Sequence, residues 1–490
     1  MEKTVRANHS RHDLTEGPIL KTALLYAIPI LISALIQYLY NVFDTMMVGQ
    51  FLGKTEMAAV NAAGTTSGAV GSLIGGFTAG SAVIIGISFG AKEKQKTFAA
   101  VCVFQKLNLI VGVLLTTLGL ALAVPLLKIT NVPDDCFGYS ETYLLIVMGG
   151  AVVNTVNMAE TNLLRTLGDS RSPVIMLIAS AVINVLLNLL FMLVFRWGVA
   201  GVAVATVLSQ LVSGALALFF FLRNFPEYNF FRHKSEAVNE NLWLSEIRMA
   251  IPMALQMSLI MIGALIVQAK LNSMGKEIMA AFACGVSITN LAGTVINTFG
   301  TVITGFVAQN YGAKNFTRMK KGILYIMAAS FAITVSIGVA ILLFSRTVAG
   351  WFINAEDWTE EIYANVRTFI LINVSFYPVW VPVPILRGAI QSMKYSLLPF
   401  LSCMVELPMR CITAWVLGSY FGFTGLAFST PCALVAALLF LLAAFFVTWN
   451  VRKKQALQTQ ALQTPPAPLP NSSDFPNSSD LPAPLRGKTE

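Results

Sequence analysis

Long apolar runs separated by short polar stretches recur along nearly the whole chain. The hydrocarbon core of a bilayer takes about 20 apolar residues per helix. Twelve runs meet that length: 20–48, 58–89, 98–124, 139–164, 173–195, 199–222, 247–272, 279–308, 322–345, 363–386, 396–418 and 424–449. Strands of a membrane barrel would alternate in polarity with period two, and these runs do not. The pattern therefore predicts an all-α membrane protein with twelve transmembrane helices. Residues 1–18 form a polar lead-in, and the run after them has no small-residue cleavage site, so it reads as a retained first span rather than a signal peptide.

Composition agrees. Of 490 residues, 56% are hydrophobic and only 12% charged, against about 25% charged in a typical soluble domain. A soluble globule, a disordered chain and a disulfide scaffold are all excluded. The net charge of +9 is no nucleic-acid footprint, because cytoplasmic loops of membrane proteins collect Lys and Arg. With a cytoplasmic N-terminus, and counting as far as Lys454, the inside segments hold 22 Lys and Arg and the outside segments 7. That bias places both termini in the cytoplasm of a multi-pass protein of the plasma (inner) membrane. Five of six cysteines lie in apolar runs, only Cys136 in a loop, and His9, His12 and His233 lie in polar segments. No zinc or haem site is expected. Residues 450–490, which repeat ALQT and PNSSD, read as a disordered cytoplasmic tail.

The chain is written twice. Ala27-Ile28-Pro29 recurs as Ala250-Ile251-Pro252, Met57-Ala58-Ala59 as Met279-Ala280-Ala281, Gly90-Ala91-Lys92 as Gly312-Ala313-Lys314, and Leu164-Arg165 as Leu386-Arg387. The offset is 222 or 223 throughout. Six spans per half is an even number, so both halves enter the membrane in one sense, as a parallel repeat. The expected architecture is two pseudo-symmetric six-helix bundles, 19–222 and 247–449, joined by a cytoplasmic linker 223–246 around a central cleft.

Within the spans, away from their first turns, lie three acids: Asp44, Glu160 and Glu406. A carboxylate at a helix centre costs about 2.5–3.5 kcal/mol on insertion scales, which makes each a functional candidate. Gln37, Asn41 and Asp44 share one face of the first helix. Ser180, Asn184 and Asn188 recur every four residues on the fifth, and Thr206, Ser209, Gln210 and Ser213 form a stripe on the sixth. Lipid cannot hydrogen-bond such stripes, so they are expected to face one another in a pocket of the first bundle. The other reading has Asp44 reaching to water near its helix end. Glu406 and Arg410 stand one turn apart on the eleventh span, at the positions that Asn184 and Asn188 hold in the first half. They read either as a second proton or drug-cation site or as a self-neutralising ion pair. Glu160 is expected to pair with Arg165. The eighth span carries Ser287, Asn290, Thr294, Asn297, Thr301 and Thr304 along one face. With Gln37, Asn41, Asn154, Asn157 and Gln256, and with Met257 and Tyr377 as adaptable apolar surface, these are the candidate cleft lining.

The segments LYNVFDTMMVGQFLG (39–53), LLRTLGDSRSP (163–173) and WGVAGVAVATVLSQ (197–210) resemble the multidrug and toxic compound extrusion (MATE) family, nearest its bacterial DinF-like branch. The resemblance covers about residues 14–450. It implies a monomeric secondary antiporter that exchanges protons or sodium for amphipathic organic cations by alternating access. It also implies a cation site on Asp44, Asn184, Asn188 and Thr206, and a bend of the first helix at Pro29. Asn188 departs from the family pattern, which often has a second Asp there. One carboxylate instead of two favours a proton over tightly held sodium, and Na+ at Asp44 is the single metal ion considered. No cofactor is expected.

Two other readings stand beside this one. A flippase for lipid-linked saccharides would need a cationic cleft. A membrane-embedded lipid-processing enzyme would need grouped His or paired carboxylates, and no His lies in any span. Nothing resembles a Walker A motif, which disfavours direct ATP drive.

Overall fold

The computed structural model describes residues 13–130, 132–232, 241–350 and 359–463. All three histidines, most of the polar lead-in, the middle of the linker and the tail from residue 464 lie outside the described residues. The helices are α1 (Ile19–Phe51), α2 (Lys54–Gly90), α3 (Lys94–Ile129), α4a (Asp134–Gly149), α4b (Ala151–Thr166), α5 (Ser172–Leu189), α6 (Val199–Asn224), α7 (Leu242–Asn272), α8 (Lys276–Gly312), α9 (Phe316–Leu343), α10a (Glu360–Ser375), α10b (Pro382–Ser392), α11 (Leu397–Ala427) and α12 (Ser429–Gln463). Among the described residues ten helices are long and apolar enough to span a membrane. The bent pairs α4a–α4b (51°) and α10a with Tyr377–Ser392, which contains α10b (45°), raise the number to twelve when each pair is one span. Rows of large apolar side chains face outward, such as Leu109, Ile110, Val113 and Leu114 on α3. Only a lipid surround tolerates a belt of that size.

Several expected boundaries move. α7 begins at Leu242, five residues before the expected span, because the Asn241 side chain accepts from the Leu244 amide and caps it. Glu246, assigned by sequence to the linker, is therefore inside a helix. Cys136 is buried in the first turn of α4a rather than in a loop. The last helix continues to Gln463, so residues 450–463 are helical and not part of a structureless tail. By chain contacts, residues up to Thr448 form one unit and Trp449 begins another.

The repeat extends to backbone conformation. Gly53 and Gly275 carry φ of 116° and 100° at equivalent turns, Gly198 and Gly422 carry 58° and 57°, and Lys92 and Lys314 carry 60° and 55°. A run of left-handed residues matched pair by pair shows that the two halves follow the same path. The turn at Gly422 breaks the helical geometry within α11, as Gly198 precedes α6.

The core divides by depth. At the end where α1 begins (the near end), one apolar cluster joins Phe89, Phe104, Leu163 and Phe221 of the first half to Met249, Met253 and Ala308 of the second. A smaller cluster joins Phe77 and Leu107 to Ala250 and Ala254. Toward the opposite, far end the clusters stay within one half: Val48, Ala63, Leu144 and Val202 on one side, Ala281, Ile341, Phe369 and Phe423 on the other. Glycines set the near-end approach. A Cβ at Gly80 would stand 2.7 Å from the Ala250 Cα, and one at Gly90 or Gly312 would overlap the carbonyl of Gln309 or Ile87. The two bundles thus close at the near end, through repeat-related glycines, and diverge toward the far end. Residues 14–17 seal the closed end. The Leu14 amide donates to Gln309 Oε1 at 2.9 Å, and Arg318 donates to the carbonyls of Leu14, Glu16 and Gly17.

Candidate functional site

α1, α5 and α6 bring the predicted polar stripes of the first half together. Spacings of four and seven residues hold Gln37, Asn41 and Asp44 on one side of α1. Asn184 and Asn188, one turn apart on α5, are fully buried, while Asp44 is half-buried. The Asn188 amide nitrogen donates to Asp44 Oδ1 at 2.7 Å and lies 2.9 Å from Asn184 Oδ1, to which it also donates. Asn184 reaches Ser209 Oγ at 3.4 Å, and Ser180 donates to the Ser209 carbonyl at 2.9 Å. Thr206 donates to the Val202 carbonyl at 2.9 Å and joins the cluster through Ser209, which donates to the Thr206 carbonyl. Tyr40, on the same helix as Asp44, and Tyr143, which the sequence reading missed, stand beside Asp44 and Thr206.

The Asn188 side-chain oxygen, Oδ1, is buried and accepts no hydrogen bond. Buried acceptors are normally satisfied, so an oxygen left open beside a carboxylate can receive a proton donor or a hard cation. Just past Asn188 the helix widens into a π turn, Leu190–Val194, buttressed by Phe191 stacked on Trp197 with ring centroids 4.9 Å apart. Such turns often accompany functional sites. α1 itself runs unbroken through Pro29, whose carbonyl accepts from Ser33 Oγ at 3.0 Å.

The cleft lining emerges only in part. Asn290, Asn297 and Thr301 are exposed along α8, and Gln37 donates to Asn41 Oδ1 at 3.2 Å on the exposed face of α1. A stripe on α2, with Asn61, Thr65 and Gly68 exposed, escaped the sequence reading. Its signal was the spacing of three to four between small and polar residues, the same that marked α8. Gln256 and Tyr377 do not line the cleft. Gln256 is 3% exposed and accepts from Gln391 at 2.9 Å, and Tyr377 is fully buried under α9 with its hydroxyl unpartnered. Asn154 and Asn157 are half-buried, and Met257 is exposed.

The second half holds a different cluster at the matching depth. The Glu406–Arg410 pair forms at 2.5 Å, but Glu406 is shared: Arg387 of α10b donates to its other oxygen at 2.6 Å and to Ser402 Oγ at 3.2 Å. Arg387, counted by sequence among loop charges, is buried within the tenth span. The helix continues to Ser392, past the expected end of that span at residue 386. Glu160 accepts from Gln105 at 2.6 Å, and Arg165, its expected partner, forms no ion pair with it. Glu246 is fully buried with neither carboxyl oxygen partnered.

A family model described as MatE matches residues 29–190 and 252–416. A probable multidrug resistance protein, YoeA of Bacillus subtilis (strain 168), is 24% identical over 444 residues, which cover 88% of this chain and 94% of the relative. An FAD transporter of Shewanella oneidensis (strain MR-1) is 23% identical over 450 residues, 90% of this chain and 97% of the relative. A solved structure described as an outward-facing multidrug resistance MATE family transporter of the MOP superfamily superposes with a TM-score of 0.80 at 21% identity, over 91% of this chain and 99% of that one.

Proposed function

The chain belongs to the MatE family of membrane transporters, and from that premise we propose that it is a secondary multidrug efflux antiporter driven by a proton gradient. Its transport cycle alternates between the near-end-closed state described above and one open at the near end. The positive-inside bias makes the near end cytoplasmic, so the described state is the one that releases cargo outward. Asp44 is the coupling group, Asn184, Asn188 and Thr206 complete its shell, and the exposed stripes of α2 and α8 form the cargo path.

One observation carries the reading: the 2.7 Å bond between Asn188 and Asp44, beside the open, buried side-chain oxygen Oδ1 of Asn188. A lone carboxyl among amides and hydroxyls has a neutral form, with a proton bound, and an anionic form, held by donors. The two differ in how well they tolerate loss of water. A conformational change that alters the hydration of Asp44 is therefore linked to proton uptake or release. Sodium would use the same oxygens, but a site with one formal negative charge holds it weakly.

The test is transport of a lipophilic cationic dye in everted vesicles under imposed proton or sodium gradients. The proton gradient should drive accumulation by the wild-type protein, and Asp44→Asn should abolish it at equal expression. Accumulation indifferent to both gradients would remove the antiporter reading. A fully active Asp44→Asn protein would move coupling to another residue.

A further inference from the structure

In the near half of the first bundle, Glu160 of α4b is 2% exposed. Gln105 of α3 donates to its Oε1 at 2.6 Å, and its Oε2 is buried with no donor. Two amide oxygens are in the same condition, Asn108 Oδ1 on α3 and Asn157 Oδ1 on α4b. α3 and α4b run antiparallel, and contacts fix their register at two levels. Gln105 meets Glu160, and two turns further along α3 a Cβ at Gly112 would stand 3.2 Å from Thr155 Cβ and Val152 Cα. Between those levels Asn108 comes opposite Asn157. Helical spacing keeps Gln105, Asn108 and Gly112 on one face, and Asn157 and Glu160 on the face that meets it. Three buried oxygens without donors therefore share one layer, within about a turn of one another.

Hydrogen-bond accounting says what this layer lacks. The Asn108 amide nitrogen is committed to the Phe104 carbonyl at 2.8 Å and to Ser81 Oγ at 3.4 Å. Buried acceptors are normally met, and an ionised carboxylate supplies acceptors only. One proton on Glu160 Oε2 turns that atom into a donor and gives an amide oxygen its bond. A carboxylate buried here would also need a cation beside it. On α3, Cys102 and Lys106 flank Gln105, and Lys106 is exposed. α4b itself carries Arg165, whose carbonyl accepts from Tyr26 of α1. The near half of α2, all of α5, and α6 before Arg223 hold no ionisable residue. Among the described residues, none of these groups forms an ion pair with Glu160.

The layer is connected to Asp44. α4b and α6 run parallel, with Gly150 against Val207 and Asn157 against Gly214. That register sets Gln210 level with Asn154, one turn from Asn157. Gln210 follows Ser209, which Asn184 reaches at 3.4 Å. Polar side chains thus succeed one another from Asp44 and its amides through Ser209, Gln210, Asn154 and Asn157 to Glu160, in steps of about one turn or less along the helices.

We propose that Glu160 is a second proton-binding group of the first bundle, and the station through which a proton released by Asp44 leaves toward the near side. The assignment rests on Asp44 as the coupling group. The step is a proton transfer alone. The O–H bond at Asp44 breaks, one forms at Glu160 Oε2, and that bond breaks in turn when the proton passes to near-side water.

Infrared spectroscopy of the purified full-length protein tests the binding of the proton, and it does so whatever the role of Asp44. At neutral pH the wild type should show the C=O stretch of a protonated carboxyl that Glu160→Gln removes and Asp44→Asn retains. The glutamine amide donates where the acid's proton would, so Glu160→Gln should fold with a thermal midpoint no lower than the wild type. Asn108→Leu and Asn157→Leu keep the carboxyl and each remove one acceptor, and at least one of them should shift the band. A spectrum unchanged in Glu160→Gln, a lowered midpoint, or a band that neither leucine moves overturns the proposal.

Transport tests the route. In everted vesicles Glu160→Gln should cut proton-driven dye accumulation at least about tenfold, while exchange of labelled for unlabelled dye, which needs no net proton release, continues at the wild-type rate. Loss of both would make Glu160 part of the scaffold, and unchanged accumulation would take it off the route; either result overturns the proposal. A fully active Asp44→Asn protein would remove the coupling assignment and leave the infrared result standing, so the two failures are told apart.

Discussion

Asn188 donates to Asp44 at 2.7 Å across the gap between α5 and α1, so an amide occupies the place beside the carboxylate that a second acid would take. The substitution Asn188→Asp removes that donor and sets two carboxyl groups in contact. Like charges so close cannot both ionise without a cation between them. The expected outcome is a fall of about tenfold in proton-driven dye efflux, worth ~1.4 kcal/mol in barrier, with recovery when sodium is supplied. Efflux measured over a sodium series in both proteins checks it, and an unchanged proton-driven rate would show that the contact is incidental.

The near-end closure depends on glycine at two repeat-related positions. A methyl group at Gly90 would overlap the Gln309 carbonyl, and one at Gly312 the Ile87 carbonyl. Backbone on both sides leaves no side chain to yield. Gly90→Ala and Gly312→Ala should each displace the protein from the closed state and cut transport at least tenfold while membrane insertion continues. Spin-label distances across the near end should lengthen. Distances equal to the wild type would mean that the helices absorb the methyl by a small shift.

Arg318 ties the lead-in to the second bundle with bonds of 2.6 Å to the Glu16 and Gly17 carbonyls, and it lies over the Phe306 ring at 5.7 Å. Hydrogen bonds to a charged donor contribute about 1.5–3 kcal/mol. Arg318→Ala should speed amide exchange at Leu14, whose N–H is held by Gln309. Arg318→Lys should recover only part of the protection, because a single ammonium cannot span three carbonyls as a planar fork does. Exchange rates at residues 14–17 in the three proteins decide it.

Glu246, in the first turns of α7, buries two oxygens with no partner. An unsatisfied buried polar group costs about 1–3 kcal/mol. Glu246→Leu, of similar reach and apolar, should therefore raise the thermal midpoint, while Glu246→Lys should lower it. If the leucine protein is instead inactive with its midpoint unchanged, the carboxyl acts in the transport cycle rather than in packing.

What could be read without coordinates follows from short-range rules. Apolar runs of bilayer length require helices, and the recurrence of Gly90-Ala91-Lys92 as Gly312-Ala313-Lys314 announces the repeat. Helical periodicity places Asp44, Asn184 and Asn188 on faces that must find polar partners, and they find each other. The periodicity of a helix says which residues share a side. It does not say how far a neighbouring helix slides or where it bends. That is why Arg387, one residue past the expected end of its span, read as a loop charge although α10b continues to Ser392 and packs it on Glu406, and why Gln256 and Tyr377 read as cleft surface although neighbouring helices cover them. It is also why Glu246 passed unnoticed until the Asn241 cap started its helix early. The chain alone settled the spans, the repeat and the polar cluster of the first half. Only packing decided the closed end and the charge of the second cluster, because both depend on contacts between residues more than a dozen positions apart.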